Sequence, residues 1–458
     1  MWQGGPVTTE RRLLAGWGST APTAADVMSP ASLDEVVKAV GDAPARGVLP
    51  RGLGRSYGDA AQNAGGLVVD LTGCTRVRRF DVEAGVIDVE AGLSLHTLMR
   101  QVLPFGWFVP VTPGTRYVTV GGAIGADIHG KNHHVEGTFA QHVRSIDLLL
   151  ASGEVRTVTP DDDPDVFWAT AGGMGLTGIV LAATIQLLPV ETSLMSVDTE
   201  RAANLDALLD RLATTDDRYR YSVAWIDLLA RGARMGRSVI TRGDHARLDQ
   251  LPRRKRVEPF AFSPHPLASM PAGIVPPGLL NKATVAAFNE LWYRKAPADK
   301  RGQLQSIAAF FHPLDLVDRW NRIYGRPGLV QYQFTVPYGA EDVVRTAVDR
   351  LSAAGSPAFL AVLKRFGAGN PGPLSFPSPG WTLALDLPTN MSGLARLLDD
   401  LDELVVGAGG RIYLAKDSRL RPELLPAMYP RLDEWRDVRS RLDPAGTFAS
   451  DLSRRLDL

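Results

Sequence analysis

Cysteine and surplus charge are what this 458-residue sequence has least of, since Cys74 is its single thiol and 50 basic side chains balance 50 acidic ones. One thiol excludes an internal disulfide, a thiolate zinc cluster and a CxxC redox motif. We expect Cys74 to pack as a small hydrophobic residue beside a strand. The balanced charge does not favour nucleic-acid binding, so no nucleic-acid partner is expected.

Long apolar runs are also missing. No stretch of the sequence is apolar over the length needed to cross a bilayer. Residues 1–22 lack the cationic and apolar segments of a classical signal peptide. From the sequence alone we therefore expect a cytoplasmic protein that contacts membranes only peripherally.

Glycine is abundant, and one glycine-rich stretch organises the rest of the chain: Pro50-Arg51-Gly52-Leu53-Gly54-Arg55-Ser56-Tyr57-Gly58-Asp59. Glycine permits left-handed turns and lets a ligand approach the backbone closely. Successive free N–H groups in such a turn form a concave nest for anions. We interpret this stretch as a loop that holds the pyrophosphate of a nucleotide cofactor.

Three other interpretations of the loop stay open. It approaches the G-x-G-x-x-G dinucleotide fingerprint, but its third glycine comes one position late and residues 60–66 are a poor helix. It also matches G-x-S-x-G, which would make Ser56 the nucleophile of a serine hydrolase, although little chain precedes it to build the required sheet. The third interpretation is a surface turn without a ligand.

Two further glycine-rich segments, residues 112–134 and 167–180, are separated from the loop and from each other by predicted strands. Three loops of small residues suit a long, extended cofactor better than one compact phosphate. The first segment ends in His129, His133 and His134. A metal there is disfavoured, because no HExxH motif and no nearby carboxylate accompanies the histidines; contact with cofactor or substrate, or a backbone-bonded structural role, remains.

Hydrophobic periodicity predicts the regular elements. The predicted helices cover residues 33–40, 93–102, 202–213, 391–406 and 428–442. The predicted strands cover residues 47–50, 66–71, 86–92, 105–111, 143–150, 155–158, 219–228, 330–336, 360–366 and 382–387. The basic run 253–256 precedes an apolar segment, 260–277. We interpret the two either as a solvated face with a mobile lid or as a surface that docks on anionic lipid.

The three glycine loops, in this order, resemble the FAD-binding half of the vanillyl-alcohol oxidase superfamily at residues 51–59, 113–123 and 173–178. A closer resemblance, to the decaprenylphosphoryl-β-D-ribose oxidase family, covers nearly the whole chain. The motifs that carry it are residues 127–134, 329–334, 374–377 and 413–419. The resemblance implies an α+β, two-domain flavoprotein. Its FAD-binding domain would comprise residues 1–190 and 410–458, and residues 191–409 would form a substrate domain with an antiparallel sheet.

The same resemblance implies a function. It is the FAD-dependent oxidation of the 2'-hydroxyl of decaprenylphosphoryl-β-D-ribose to a ketone, the first half of an epimerisation that serves cell-wall arabinan synthesis. It also implies an NAD-dependent reductase as partner subunit, contact with the cytoplasmic membrane, and a periplasmic or cell-envelope location. The rivals are an aldonolactone or alditol oxidase acting on a soluble sugar, and a non-catalytic flavin or lipid carrier.

Lys416 is the first choice for the base that takes the hydroxyl proton, with His129 as the alternative and Tyr57 beside the flavin. A lysine must be desolvated, or lie near other cations, to act as a base near neutral pH. The alternative to a functional role is that Lys416 lies on the surface and pairs with Asp417, and that Tyr57 is only a packed side chain.

The residues predicted to bind the substrate are Gln331, Gln333, Lys364, Lys131, Phe311 and Asn390. Strand alternation places the two glutamines on one face, and the alternative is a solvated sheet face. The residues predicted to bind FAD are Gly52, Leu53, Gly54, Arg55, Ser56, Tyr57, Gly58, Asp59, Gly114, Thr115, Thr119, Val120, Gly121, Gly122, Ala126, Asp127, Ile128, His129, Ile179, Val180 and Tyr413.

The sequence departs from the related proteins at two places. Some superfamily members tether the flavin through a histidine of the pyrophosphate loop, where this chain has Arg55. We therefore expect non-covalent FAD. The family often carries, on the strand that here reads Thr382-Leu383-Ala384, a cysteine that activated nitroaromatic inhibitors trap. With Ala384 in that place, such compounds are expected to bind only reversibly.

Overall fold

The computed structural model of the protein describes residues 9–271 and 279–458. Its first sheet has four strands in the order β1-β2-β4-β3, with β1 antiparallel to β2 and both β2 and β3 parallel to β4. These strands are β1 (Thr9–Leu14), β2 (Thr23–Met28), β3 (Val48–Arg51) and β4 (Leu67–Asp70). Strand β3 runs directly into the first glycine-rich loop.

A second, antiparallel sheet has five strands in the order β5-β6-β10-β8-β9. They are β5 (Val77–Asp81), β6 (Val86–Glu90), β8 (Val143–Leu149), β9 (Val155–Val158) and β10 (Ile179–Gln186). A short pair joins β7 (Trp107–Phe108) to β11 (Leu188–Pro189). The helices of this part are α1 (Leu33–Gly41), α2 (Leu95–Val102), α3 (Val120–Gly125), α4 (His133–Glu136) and α5 (Pro164–Thr170).

The middle of the chain builds an eight-stranded antiparallel sheet in the order β16-β12-β14-β13-β19-β20-β18-β21. Its strands are β12 (Leu194–Ala202), β13 (Tyr221–Ile226), β14 (Ser238–His245), β16 (Asp299–Ser306), β18 (Leu329–Pro337), β19 (Ala361–Phe366), β20 (Gly380–Pro388) and β21 (Arg411–Ile412). A short parallel pair joins β15 (Ala268–Ser269) to β17 (Val317–Asp318). The accompanying helices are α6 (Leu205–Thr215), α7 (Lys282–Lys295), α8 (Ile307–Phe311), α9 (Glu341–Ala354) and α10 (Leu394–Gly407).

The C-terminal tail returns to the first sheets through α11 (Leu425–Met428), α12 (Leu432–Leu442) and α13 (Asp451–Leu456). The buried Phe448 pairs with Val48 and joins the core beneath β3 and β4. The fully buried Trp435 donates its indole N–H to the Ala169 carbonyl over 2.9 Å. These contacts bring the segment between β21 and α11, including Lys416, back beside the glycine loops. The domain division at residues 190 and 410 stays a prediction.

The α+β fold class is confirmed, and most predicted elements occur. Helix α1 begins after Ser32, whose hydroxyl accepts a hydrogen bond from the Glu35 N–H. Asp34 and Glu35 in its first turn also favour a helix start here, because negative charge is stabilising at a helix N-terminus. Three predictions of extent are wrong. Residues 105–111 form only the two-residue β7, the strand β12 extends to Ala202 so that α6 starts at Leu205, and the tail prediction 428–442 divides into α11 and α12. Of the predicted apolar segment 260–277, residues 272–277 lie outside the described residues, as do residues 1–8 of the stretch searched for a signal peptide.

Candidate active site

A cavity of about 740 Å³ lies between the glycine loops and one face of the eight-stranded sheet. Most residues predicted to bind FAD line it: Gly52, Leu53, Gly54, Arg55, Ser56, Tyr57, Gly114, Thr115, Thr119, Gly121, Gly122, Ala126, Ile128, His129, Val180 and Tyr413. Five of the residues predicted to bind substrate line it as well: Gln331, Gln333, Lys364, Lys131 and Phe311. Lys416, the predicted base, completes this set from the tail.

Other predicted residues lie outside the cavity, each for a physical reason. Val120 and Ile179 are fully buried core residues, and Asn390 is exposed after β20. A Cβ at Gly58 would come within 1.9 Å of the Asp417 carbonyl oxygen, so this glycine allows the tail to approach. Asp59 pairs with Arg455 of the tail.

Asp127 also serves the structure around the cavity. It is fully buried with φ of 38°, a left-handed conformation that few non-glycine residues adopt. Its carboxylate accepts hydrogen bonds from the side chains of Asn370 and Ser375, both over 2.6 Å, and from the Ala140 N–H over 3.3 Å. Asp127 therefore holds the segment that leads into His129.

The first glycine loop fits an anionic group. Within the described ranges, none of the five consecutive N–H groups of residues 52–56 donates a hydrogen bond inside the protein. Gly54 has φ of 64°, and a Cβ at Gly52 would lie 2.3 Å from the Thr119 hydroxyl oxygen. Both positions thus need glycine, and the loop leaves its amides free toward the cavity.

Arg55 is held by aromatic contacts beside this loop. Its guanidinium carbon lies 3.8 Å from the centroid of the Trp17 ring, and its Nε donates to the Tyr117 carbonyl over 3.2 Å. Burial lowers the pKa of Arg55. The residue forms part of the cavity wall.

His129 lines the cavity and contacts the side chain of Gln333. The Gln333 Nε2 donates to His129 Nε2 over 3.0 Å and to the Thr382 hydroxyl over 3.2 Å. With the amide in this orientation the imidazole is neutral and carries its proton on Nδ1, which is buried and has no partner among the described residues. Burial, and after it the nearby Lys364, holds the pKa of His129 well below its usual range.

Lys416 lies with its Nζ 4.2 Å from the centroid of the Tyr57 ring. Burial lowers the pKa of Lys416 to about 8, against an opposing effect of the carboxylate of Asp386. Asp386 is itself fully buried, accepts a hydrogen bond from Gln331, and has a pKa raised to about 7, mainly by burial. Asp417, the alternative partner in the sequence, instead pairs with Arg455.

Two further lysines face the same space. Lys131 donates to the Phe310 carbonyl and lies 4.4 Å from the centroid of that ring. Burial, and after it the charge of Lys364, lowers the pKa of Lys131 to about 7. Burial, and after it the charge of Lys416, likewise lowers the pKa of Lys364 to about 7. No carboxylate of the described residues lies within ion-pair distance of any of the three amines. The cavity can therefore bind an anion and still keep one amine near its neutral form.

The neighbouring histidines do not converge. His133 Nδ1 accepts the Gly367 N–H over 3.1 Å, and His134 Nε2 lies 2.9 Å from the Tyr219 carbonyl oxygen. Among the described residues no group of three or more His, Cys, Asp and Glu side chains is placed to hold a metal ion. Of the three, His129 alone lines the cavity.

Several residues of the site were not predicted. Trp17, Phe310, Trp225 and Trp292 line the cavity, and no motif distinguishes them in the sequence. Asp386 could have been found, because it lies directly opposite Gln331 in the register of β18 and β20 and two residues from Ala384 on the same face.

Two family models and several relatives match the chain. A model of the FAD binding domain family matches residues 24–159, and a model of the D-arabinono-1,4-lactone oxidase family matches residues 387–456. Decaprenylphosphoryl-β-D-ribose oxidase of Mycolicibacterium smegmatis is 48% identical over 458 residues, covering 99% of this chain and 98% of that protein.

Two other relatives match shorter parts of the chain. A Streptomyces coelicolor protein, named only as uncharacterized, is 47% identical over 372 residues, which is 80% of this chain and all of that protein. Mouse L-gulonolactone oxidase is 32% identical over 152 residues, covering 32% of this chain and 34% of the mouse protein. The first likeness extends over nearly the whole chain, whereas the mouse enzyme matches only about a third of it.

Proposed function

The chain belongs to the decaprenylphosphoryl-β-D-ribose oxidase family of FAD-dependent oxidoreductases, and on this premise we propose that it oxidises the 2'-hydroxyl of a polyprenylphosphoryl ribose in the cavity described above. The observation that carries the proposal is the set of three lysines, Lys131, Lys364 and Lys416, that face one cavity without a carboxylate partner among the described residues. A substrate with a phosphodiester beside a reacting hydroxyl requires both an anion site and a base.

The glycine loops fit FAD, because the free amides of residues 52–56 suit a pyrophosphate and Gly52 lets the backbone lie against Thr119. When bound, FAD supplies the acceptor for the hydride that leaves C2' of the sugar. In this proposal the residues of the loop and of helix α3 hold the cofactor, and the chain contributes orientation and proton transfer.

Lys416 is proposed to take the proton of the 2'-hydroxyl. Its pKa, lowered from 10.5 to about 8, leaves about a tenth of the amine neutral at pH 7, whereas almost none would be neutral at the ordinary value. The Gln333–His129 pair is proposed to orient the sugar, because its partners fix the amide and the ring. A neutral His129 does not compete for the proton, since its pKa lies well below its usual range.

Lys131 and Lys364 are proposed to bind the phosphodiester. Each has a pKa near 7, so each is only partly charged without a ligand. A bound phosphate would favour the charged form of both amines and so compensate their mutual repulsion. Phe310 and Phe311 beside Lys131 provide an apolar wall for the first isoprenoid unit.

We propose three further properties that follow from the family. FAD is non-covalent, because Arg55 stands where a tethering histidine would stand, and the flavin should separate from the polypeptide on denaturing gels. The enzyme works at the cytoplasmic membrane and with an NAD-dependent reductase as partner. No helix among the described residues is long and apolar enough to cross a membrane. Removing a chain of about 50 carbons fully from a bilayer would cost roughly 0.8 kcal/mol per CH₂, so a peripheral enzyme must meet its substrate at the membrane surface.

The test is anaerobic reduction of the purified holoenzyme. We expect the visible flavin band to bleach on addition of a short-chain prenylphosphoryl ribose, and not on addition of the ribose glycoside without phosphate. Bleaching by a soluble aldonolactone or alditol instead would support the rival oxidase. A colourless protein labelled at Ser56 by a fluorophosphonate would support the hydrolase and contradict the proposal.

A further inference from the structure

Exposed hydrophobic side chains concentrate around helix α7, which lies next to the active-site cavity. We define the apolar rim as five such residues, with exposed fractions of 83% for Leu267, 44% for Leu279, 40% for Phe288, 67% for Leu291 and 43% for Trp292. Scattered single hydrophobic residues on a surface need no explanation, but a contiguous group marks an interaction site.

Contacts connect much of the rim to one aromatic cluster. The ring centroid of Phe288 lies 6.0 Å from Trp292 and 5.9 Å from Phe359, which in turn lies 6.0 Å from Tyr324. Leu280, the neighbour of Leu279, packs into the same cluster. The Leu267 N–H donates to the Leu316 carbonyl, immediately before Val317 of that cluster.

The rim also borders the mouth of the cavity. Trp292 and Lys295 of α7 line the cavity although both are exposed, so the cavity opens to solvent beside them. Leu314 and Trp320, which belong to the aromatic cluster, line it as well.

Helix α7 is fixed to the protein by its polar side. The fully buried Asn289 donates to the Asp227 carboxylate over 2.7 Å, and Arg237 connects Asp227 with Glu290. With this anchor in place, Leu291 is 67% exposed and Phe288 remains 40% exposed. The charge of residues 279–295 is positive, with Lys282, Arg294 and Lys295 against Glu290.

We propose that α7 and the apolar rim are the surface that docks on an anionic lipid bilayer, and that docking places the mouth of the cavity at the membrane, so that the prenyl chain of the substrate passes between α7 and the sheet. An anchored helix with Phe, Leu and Trp on its outer side and Lys and Arg beside them has the composition of a helix that lies in the bilayer interface. Net positive charge matches anionic headgroups. The delivery of the prenyl chain rests on the proposed function, whereas docking does not.

The test is co-sedimentation of the FAD-loaded protein with vesicles of phosphatidylcholine alone or mixed with phosphatidylglycerol. Leu291→Glu should weaken binding to the mixed vesicles by roughly tenfold or more, and Leu291→Trp should strengthen it. Leu291 is 67% exposed and does not line the cavity. Leu13→Glu is the matched control, because Leu13 is 74% exposed on β1, and it should bind as the wild type does.

Activity separates this inference from the proposed function. Leu291→Glu should oxidise a soluble short-chain prenylphosphoryl ribose as the wild type does, but should lose most turnover on a long-chain substrate embedded in vesicles. Equal vesicle binding by Leu291→Glu and the wild type, or equal binding of the wild type to both vesicle types, would overturn the inference. If neither substrate bleaches the flavin while α7 still governs vesicle binding, the proposed function fails and docking stands.

Discussion

The assignment of Lys416 as the base leads to the most exacting prediction. The variant Lys416→Met removes the amine, whose Nζ lies 4.2 Å from the centroid of the Tyr57 ring, and keeps an unbranched side chain in its place. A positioned general base contributes about 10²- to 10⁴-fold, which corresponds to about 2.7–5.4 kcal/mol of barrier. We expect the rate constant of flavin reduction by substrate to decrease by a factor of about 10² to 10⁴.

The pH dependence provides an independent measurement. The base must be neutral, and the pKa of Lys416 is lowered to about 8. In the wild type, the rate constant of flavin reduction at saturating substrate should therefore rise with pH and level off above about 8, and the variant should lose this dependence. Stopped-flow absorbance of the flavin, measured anaerobically over a pH series, reports the rate constant of flavin reduction and its pH dependence.

The control is Lys38→Met, because Lys38 is an exposed lysine on α1 far from the cavity. It should leave rate and pH profile unchanged. The assignment is refuted if Lys416→Met reduces flavin within tenfold of the wild-type rate, or if the variant retains the rise with pH. The FAD content and the thermal unfolding of the variant should match those of the wild type, which would show that a slower reaction does not result from unfolding or from loss of the cofactor.

Three other predictions follow from the same cavity. Lys131→Met should raise KM for a phosphorylated substrate by about tenfold or more, since a hydrogen bond to a charged group is worth roughly 1.5–3 kcal/mol, while saturated flavin reduction changes little; a large loss at saturation with unchanged KM would contradict phosphate binding. Asp386→Asn should move the rise of the flavin-reduction rate constant at saturating substrate to lower pH, because the Asp386 carboxylate raises the pKa of Lys416; a shift to higher pH would refute the coupling. In the wild type, intact mass should show no adduct with an activated nitroaromatic inhibitor, since Cys74 is buried in another core; Ala384→Cys, which places a thiol in the cavity wall, should gain one adduct, and an adduct on the wild type would contradict the alignment of this strand.

Much of the FAD-binding half could be predicted because its signals are local. A glycine is required wherever φ is positive or another chain segment approaches, as at Gly54 and Gly52. Such positions can be recognised within a few residues of sequence. The alternation of β18 likewise places Gln331 and Gln333 on one face without knowledge of what that face meets.

Errors arose where tertiary contacts decide the structure. The strands β12, β14 and β16 were not predicted, although they form one side of the large sheet. Gly58 and Asp59 belong to a motif, yet they serve contacts with Asp417 and Arg455, more than 350 residues later in the chain. No local pattern can report such a partner.

The chemistry of the site depends on both levels. The sequence by itself determined which groups are available, namely three glycine loops, a tail motif that contains Lys416, and Ala384 in place of a thiol. Only the tertiary structure decided that Lys131, Lys364 and Lys416, from three distant segments, share one cavity. Burial and mutual repulsion act through space and not along the chain, so the lowered pKa values of these three amines arise only after folding.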